Sequence, residues 1–472
     1  MIERDRSRVV FALCVFALHL AIIGLYGYHR DELYLLACGR HLEWGSVDHA
    51  PLTPAISNVL ALVFGESPVT QRLFAAFAGA VVVWITGTIT KALGGSRHAQ
   101  LLAMGSVAIA PAFIYSSGVN TTNALDQLVW AAASYFVLVP ATPRRWLVLG
   151  IVLGIGLLAK YTILMFGLAL GVGLVATARD QLRTPWPYAA AAIALAIWLP
   201  NLDWQAAHGF PALTFLRDHH AARAQSESLA ALFYQQPIII GPLSFAVACC
   251  GLRPALRAHP TFAVMVVVVV AVLIVQHGKP YYLAPIYPGL IAIGSIAVAV
   301  KVRRWWLVCT AWATGGVIAI VATLPVLPAQ TAYELGLYRT NAEFVQFADW
   351  RGVARQISTA DRDAHATAIL TDSYGTAAAV EAFGPELRLP AVISGANSYY
   401  LWTAEAPDPD DLIAIGYSLE ILQGRYREVT VVGSVQGPFG LDNRFDFPRR
   451  IYHCRGARGS LHALWPLLRR FD

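Results

Sequence analysis

The chain has 472 residues, of which 57% are hydrophobic and only 14% carry a charge. Soluble domains average about 25% charged residues, so this composition excludes an ordinary soluble globular protein. Continuous apolar runs such as residues 262–276 are too hydrophobic for a helix on a soluble surface. The formal net charge of +6 does not indicate a nucleic-acid partner, because the basic residues fall in short clusters between apolar segments. The sequence therefore predicts a polytopic α-helical membrane protein surrounded by lipid.

Apolar segments follow one another through the first two thirds of the chain, each roughly as long as a bilayer-spanning helix. We predict eleven transmembrane helices from them. Their expected positions are 9–27, 68–92, 99–116, 122–140, 146–159, 161–178, 185–201, 237–251, 261–276, 281–300 and 305–323. One long bent helix over 146–178 is an alternative to the fifth and sixth.

The basic residues decide between these two readings. Cytoplasmic loops carry more Lys and Arg than outer loops do. With eleven spans and a cytoplasmic N-terminus, every predicted inner loop has a basic cluster, including Arg144-Arg145 and the pair Arg179 and Arg183. A single helix over 146–178 would place those two clusters on opposite sides. We therefore predict eleven spans, a first outer loop over 28–67, and an extracytoplasmic C-terminal region.

Residues 329–472 differ in character from the predicted transmembrane module, 1–328. Their apolar runs shorten to strand length and alternate with helix-like stretches, which is typical of an α/β domain. The predicted strands are 366–371, 391–394, 412–415 and 429–435, and the predicted helices are 341–357, 376–383 and 418–426. We expect this region to form an extracytoplasmic α/β domain.

Asp31 and Glu32 stand at the membrane border of the first outer loop. Charged side chains at this depth are costly unless they face water or partners. Neighbouring residues on a helix point about 100° apart, so the two carboxylates cannot both face one reacting atom. One of them could act as a general base while the other supports it. An ordinary solvated loop end is the alternative.

Asp48 and His49 form a second polar pair in the same loop, directly before Pro51. Carboxylate and imidazole ligands suit divalent cations, so the pair could bind a metal or orient the site. The alternative is a helix N-cap by Asp48 ahead of a helix that starts at Pro51.

Further polar residues are expected at the outer ends of the spans. Asn123 and Asp126 lie three residues apart and would share one face of a helix, either lining a cavity or hydrogen-bonding between helices. Arg30, Lys160 and Lys279 are the outer cations nearest the membrane. They could bind a lipid phosphate, or the lysines could simply extend to the interface.

Several of these residues belong to recognisable short motifs. The stretches are 30–34 (RDELY), 37–40 (ACGR), 47–52 (VDHAPL), 123–126 (NALD), 159–162 (AKYT), 278–285 (GKPYYLAP) and 392–399 (VISGANSY). In their order and sidedness the chain resembles the bacterial membrane glycosyltransferases of the GT-C fold, related to dolichyl-phosphate-mannose protein mannosyltransferases and to the aminoarabinose transferases of lipid A. Ala50 and Pro280 depart from the usual pattern, where proline and glycine are common, and neither change removes an ionisable group.

The resemblance implies a sugar donor linked to polyprenyl phosphate, used at the outer face of a bacterial inner membrane on an acceptor of unknown kind. In such families an acidic residue of the first outer loop is catalytic, and Asp31 is the matching position. Glu32 would support it. The resemblance gives a substrate-binding role to the other motif residues. These are Arg30, Asp48, His49, Asn123, Asp126, Lys160, Tyr161, Lys279 and Tyr282, of which Asp48 and His49 could instead hold a divalent metal.

A transporter or lipid flippase would also explain the apolar spans and the polar residues within them. The polar residues gather at one face of the predicted membrane region, and no repeated halves or paired broken helices are recognisable. A catalytically inactive relative that acts as a scaffold is a third reading, against which Asp31 argues only weakly.

Overall fold

A computed structural model describes residues 2–226, 228–362, 364–443 and 446–471. The chain is mostly helical as far as Thr323, and a small sheet follows. The helices of the first part are α1 (Ile2–Ile22), α2 (Arg30–Arg40), α3 (Leu52–Phe64), α4 (Pro68–Ala92), α5 (Arg97–Ala108), α6 (Pro111–Gly118), α7 (Thr122–Leu138), α8 (Pro143–Leu157), α9 (Ile163–Thr177), α10 (Arg179–Leu182), α11 (Trp186–Ala207), α12 (Pro211–Ser226), α13 (Ala231–Tyr234), α14 (Gln236–Ile239), α15 (Pro242–Ala258), α16 (Pro260–Val275), α17 (Tyr287–Ala299) and α18 (Trp305–Thr323). A 3₁₀ segment, Pro280–Ile286, leads into α17.

Helices occupy most of every apolar segment predicted from the sequence, but several are short or bent. Among the described residues, three helices are long and apolar enough to cross a bilayer alone: Pro68–Ala92, Pro280–Ala299 and Trp305–Thr323. Two further pairs of helices meet that test together, α5 with α6 at a bend of 65° and Ala231–Ile239 with α15 at a bend of 116°. The total of eleven spans stays a prediction.

The polar stretches between these segments are more ordered than the sequence suggested. The first predicted outer loop contains two helices, α2 and the apolar α3. Helix α3 begins beside Pro51, as in the alternative reading of this stretch, but no side chain caps it, so Asp48 is not its N-cap. Residues 158–162 separate α8 from α9, so the chain has two helices here rather than one over 146–178. Lys160 and Tyr161 lie in this break, between the two helices.

The C-terminal part is a five-stranded mixed sheet with short helices. Its elements are α19 (Ala329–Glu334), α20 (Leu337–Thr340), α21 (Glu343–Gln346), α22 (Trp350–Asp361), β1 (Ala368–Thr371), α23 (Tyr374–Leu387), β2 (Val392–Ser394), α24 (Tyr399–Trp402), β3 (Asp411–Ile415), α25 (Leu419–Gln423), β4 (Tyr426–Val435), β5 (Arg449–Ala457) and α26 (Trp465–Leu468). The strand order is β2-β1-β3-β5-β4, with β1 parallel to β2 and β3, and β5 antiparallel to β3 and β4. The expected mostly helical fold with a small C-terminal sheet domain is confirmed. The sequence analysis missed β5.

Helix α2 lies between the helical module and the sheet domain. Leu33, Tyr34, Ala37 and Cys38 share one buried cluster with residues of the sheet domain such as Ile369. Arg40 at the end of α2 connects the two parts, because it forms ion pairs with Glu66 of the helical module and with Glu381 of the sheet domain. The helix that carries Asp31 is therefore part of the domain interface.

On its other side, α2 is fixed by a buried ion pair. Glu32 and Arg72 are both fully buried, and the Arg72 guanidinium binds both carboxylate oxygens, Nε to Oε1 at 2.8 Å and Nη2 to Oε2 at 2.6 Å. The other Arg72 donors reach the carbonyl oxygens of Ile23, Tyr26 and Gly27. All five N–H groups of an arginine are thereby used, so the buried charge is satisfied both electrostatically and by hydrogen bonds.

We predict that Glu32→Gln destabilises the protein strongly, because Arg72 would keep a buried charge without its counterion. Removing one partner of a buried ion pair typically costs about 3–5 kcal/mol. The free energy of unfolding in detergent micelles measures this effect. The matched control is Glu66→Gln, which removes the partner of an exposed pair and should cost about 0–1 kcal/mol. Equal losses in the two variants would contradict the structural role given to Glu32.

Candidate active site at the start of helix α2

Asp31 lies in the first turn of α2 with 42% of its side chain exposed. His29 caps this helix, since its Nδ1 accepts a hydrogen bond from the Asp31 N–H at 3.1 Å. Glu32 closes the cap by accepting the His29 N–H at 2.8 Å. The two neighbouring carboxylates thus have different surroundings: Glu32 is buried in the protein, and Asp31 is open to solvent. Only Asp31 can meet a substrate.

The sheet domain contacts Asp31 directly. The Tyr374 hydroxyl, at the start of α23, donates to Asp31 Oδ1 at 2.9 Å. The Arg30 guanidinium carbon lies 3.8 Å from the centre of the Tyr374 ring, and Arg30 Nε lies 3.0 Å from a carboxylate oxygen of the buried Asp446. Arg30 therefore already has a counterion within the protein, which the sequence could not reveal.

A second carboxylate, Glu343 of α21, lies on the opposite side of the His29 ring from Asp31. His29 Nε2 is 3.3 Å from Glu343 Oε2, and His29 Nδ1 is 4.0 Å from Asp31 Oδ2. The Tyr115 hydroxyl donates to Glu343 at 3.0 Å. Glu343 keeps 52% of its side chain exposed, whereas the His29 ring is buried. A buried imidazole thus lies between two accessible carboxylates.

Electrostatics shift the pKa values of His29 and Glu343 in opposite directions. Burial lowers the pKa of His29, but the hydrogen bond to Glu343 and the nearby carboxylates of Asp31, Glu343 and Glu32 outweigh it, so the pKa lies above its usual value. Loss of hydration raises the pKa of Glu343, but His29, Tyr115 and Lys279 together bring it below its usual value.

The lysines lie around two adjacent tyrosines. Lys160 Nζ is 5.0 Å from the centre of the Tyr282 ring and 5.9 Å from that of Tyr281, and Lys279 Nζ is also 5.9 Å from the Tyr281 ring. Tyr281 is within electrostatic reach of Asp31. The structure thus brings Asp31, Lys160, Lys279 and Tyr282 to the same end of the helical module.

The two lysines differ in how far their charge is already balanced. Lys160 Nζ donates to Asn123 Oδ1 and lies 3.9 Å from Asp126 Oδ2. Asp126 also accepts the Thr162 hydroxyl at 2.6 Å. Within the described parts of the chain, no carboxylate oxygen lies within 4.0 Å of Lys279 Nζ. Lys279 is therefore the cation better able to bind an added anion.

Asp48 and His49 belong to the domain interface. Asp48 lies 2.9 Å from the Tyr34 hydroxyl and 3.3 Å from Asn397 Nδ2. His49 Nδ1 is 2.8 Å from Ser46 Oγ, and its Nε2 is 3.9 Å from Asp48 Oδ1. No group of three or more His, Cys, Asp or Glu side chains suited to a metal occurs among the described residues, and the metal stays a prediction.

Tyr161 lies beside α11 and helps to support the first loop. Its hydroxyl donates to Asn201 Oδ1 at 3.2 Å and lies 3.3 Å from Gln205 Nε2. Asn201 and Gln205 in turn donate to the backbone oxygens of Trp44 and Ser46. In this position Tyr161 orients the segment that precedes Asp48.

Four residues of this site were not singled out from the sequence: His29, Arg72, Glu343 and Tyr374. Arg72 left a recognisable signal, because a charged residue near the start of an apolar span needs a partner. Glu343 and Tyr374 meet α2 from more than 300 positions away, and no local pattern indicates such contacts.

Comparisons with known proteins agree with this architecture. A sequence model of the family described as dolichyl-phosphate-mannose-protein mannosyltransferase matches residues 48–204, about a third of the chain. No curated protein matches the sequence. The crystal structure of ArnT from Cupriavidus metallidurans bound to undecaprenyl phosphate superposes with a TM-score of 0.60 at 15% identity, covering 94% of this chain and 97% of that one.

The apo structure of the same ArnT gives a TM-score of 0.59 at 14% identity and covers 95% of this chain and 97% of that chain. The chain has the GT-C fold. The resemblance predicted from the short motifs is thereby confirmed, and it extends over both the helical module and the sheet domain.

The His29–Glu343 pair predicts a pH-dependent stability. A raised His pKa contributes stability below about pH 6.5, and that contribution is lost as the pH rises through the folded-state pKa of His29. A lowered Glu pKa contributes above about pH 4.3 and is lost as the pH falls through the folded-state pKa. Glu343→Gln should therefore lower the melting temperature most between these two values and progressively less at alkaline pH.

Melting temperatures of wild type and variant from pH 5 to pH 9 measure this difference. The matched control is Glu386→Gln, which removes the partner of Arg351 in an exposed pair without a histidine. Its effect should be independent of pH over the same range. A constant difference for Glu343→Gln across that range would contradict the coupling between His29 and Glu343.

Proposed function

We propose that the protein is an integral-membrane glycosyltransferase that moves a sugar from a polyprenyl-phosphate donor to an acceptor. The proposal places the site at the outer face of a bacterial inner membrane, the side on which the sheet domain would then lie. The N-terminus would be cytoplasmic, with eleven spans in residues 1–328 and the second domain in 329–472. The acceptor, which could be a protein, a lipid or a glycan, is not specified.

The observation that carries this proposal is that an accessible carboxylate and two cations lie at one end of the helical module. Asp31 is partly exposed and held by Tyr374. Lys160 and Lys279 lie around Tyr281, which is within electrostatic reach of Asp31. Transfer from a lipid phosphate needs a base for the incoming hydroxyl and positive charge for the departing phosphate. The fold shared with ArnT, which was crystallised with undecaprenyl phosphate, supports the same chemistry.

In the proposed reaction the acceptor oxygen attacks the anomeric carbon of the donor sugar. Its proton passes to Asp31 as the new carbon–oxygen bond forms. The bond from the anomeric carbon to the phosphate oxygen breaks, and the phosphate leaves with the electron pair. Lys279, with Lys160 beside it, stabilises the negative charge that builds up on the phosphate. This in-line displacement inverts the anomeric centre.

The remaining predicted residues take supporting roles in this scheme. Glu32 supports Asp31 by fixing the start of α2 rather than by contacting it. Arg30 is paired with Asp446 and stacked on Tyr374. We therefore assign Arg30 to the domain interface in preference to phosphate binding. Asn123 and Asp126 orient Lys160. Asp48, His49 and Tyr161 shape the loop next to the site, and Tyr282 lies against Lys160.

Replacing Asp31 by Asn should abolish transfer while leaving the protein folded, since the amide cannot accept the proton. General bases contribute about 10²–10⁴-fold, so we expect at least a hundredfold loss of kcat. The assay follows release of polyprenyl phosphate from a panel of polyprenyl-phosphate sugars by purified protein in lipid, with membrane extract as the acceptor source.

The matched control for Asp31→Asn is Glu66→Gln, an exposed carboxylate on the same segment of the chain, which should retain turnover. Turnover of Asp31→Asn at the wild-type rate would reject Asp31 as the base. Failure of folded wild-type protein to release polyprenyl phosphate from any donor would instead favour the transport or scaffold reading.

Substitutions of the two lysines should distinguish an effect on donor binding from an effect on the stability of the protein. Lys279→Met should raise the donor KM on the order of tenfold or more, because it removes a charge–phosphate contact, while the melting temperature stays near that of wild type. Lys160→Met should also lower the melting temperature, because the buried Asp126 loses its cation. The control is Lys301→Met, an exposed lysine between α17 and α18. An unchanged donor KM in both site variants would contradict the assignment of the phosphate-binding cations.

A further inference from the structure

We infer that Tyr374 of the sheet domain is a positioning residue for the base Asp31, so that the sheet domain completes the active site. This inference rests on the proposed function and deepens it. It assigns a role in the chemical step to a residue more than 300 positions away from the first loop in the sequence.

The topology of the sheet places Tyr374 at a favoured position for a functional side chain. Tyr374 begins α23 directly after the carboxyl end of β1, which is parallel to both β2 and β3. In open α/β sheets, ligands bind outside the carboxyl ends of the parallel strands. Here that edge faces α2, because Ser373 contacts Arg30 and Ser398 contacts Tyr34. The edge presents its polar groups to the base-bearing helix.

The Tyr374 ring is held on two sides and is almost completely buried. Its relative exposure is 9%. The Arg30 guanidinium lies 3.8 Å from the ring centre, and the Tyr34 ring lies 4.7 Å away. Arg30 is itself fixed by Asp446. A hydroxyl on a ring held in this way has a defined position, and so has the carboxylate oxygen that accepts its hydrogen bond.

The hydrogen bond distinguishes the two oxygens of Asp31. Oδ1 accepts the Tyr374 hydroxyl at 2.9 Å. Oδ2 lies 4.0 Å from His29 Nδ1, beyond hydrogen-bond distance. The geometry therefore leaves Oδ2 to receive the proton of the acceptor hydroxyl, with Oδ1 as the anchor. Misplacement of a catalytic group by about 1 Å can cost on the order of a hundredfold in rate, so the anchor matters for kcat.

The test is the kinetics of Tyr374→Phe, which removes the hydroxyl and keeps the ring between Arg30 and Tyr34. We expect kcat to fall about 10–100-fold, the effect of losing a hydrogen bond to a charged group. The donor KM should stay within about twofold, because Lys160 and Lys279 are untouched. The matched control is Tyr417→Phe, whose hydroxyl donates to the Thr371 carbonyl oxygen at 3.2 Å at the end of the same strand. It should keep the wild-type kcat.

A wild-type kcat for Tyr374→Phe would overturn the inference, and so would an equal loss in Tyr417→Phe, which would indicate general loosening of the domain. If Tyr374→Phe fails to fold, 3,5-difluorotyrosine at position 374 keeps the shape of the ring and makes the hydroxyl a stronger donor. Because a stronger hydrogen bond lowers the basicity of the carboxylate that accepts it, kcat should fall about two- to fivefold, and an unchanged kcat would overturn the inference. If Asp31→Asn keeps its activity, Asp31 is not the base, and the inference fails with that assignment. If folded wild-type protein releases no polyprenyl phosphate from any donor, the proposed function itself fails. An inactive Asp31→Asn beside a fully active Tyr374→Phe rejects only the role of Tyr374.

Discussion

The buried ion pair between Glu32 and Arg72 is the interaction on which the rest of the structure depends. Arg72 gathers the carbonyl oxygens at the end of α1, and Glu32 accepts the backbone N–H groups of His29 and Asn120. One pair of side chains thus joins α1, α2, α4 and the start of α7. A buried pair is stable only when its hydrogen bonds are satisfied, and here they are. The position of Asp31, one residue before Glu32, is set by this network.

Helix α2 consequently has two rigid neighbours. The helical module holds it through Glu32, and the sheet domain holds it through Arg30, Tyr34, Arg40 and the carboxylate of Asp31 itself. Catalytic groups work best when packing and surrounding hydrogen bonds fix their geometry. The shared helix gives Asp31 this support on both sides while leaving much of its side chain open. This arrangement explains why the two adjacent carboxylates differ: Glu32 is buried and structural, and Asp31 is accessible.

The sequence predicted much of the fold because apolar length and periodicity are local signals. The helical segments, the break near Lys160 and four of the five strands were all recognisable in this way. Strand β5 was not, because Arg449, Arg450 and Arg455 leave only a short apolar run between them. Asp31 stood out through the local density of charge. Glu343 lay inside the predicted amphipathic helix 341–357, and Tyr374 lay two residues before the predicted helix 376–383. Their importance lies in contacts across the domain interface, which one sequence without its fold does not specify.

The central claim is that Asp31 and the two lysines surround the phosphate and the reacting carbon of one lipid-linked donor. An experimental structure of the protein in lipid with undecaprenyl phosphate bound tests this claim most directly. The account predicts the phosphate within hydrogen-bond distance of Lys279 or Lys160, on the side of Tyr281 that faces Asp31, with the isoprenoid chain leading into the membrane. A phosphate bound at another place on the helical module, with Asp31 facing empty solvent, would contradict it.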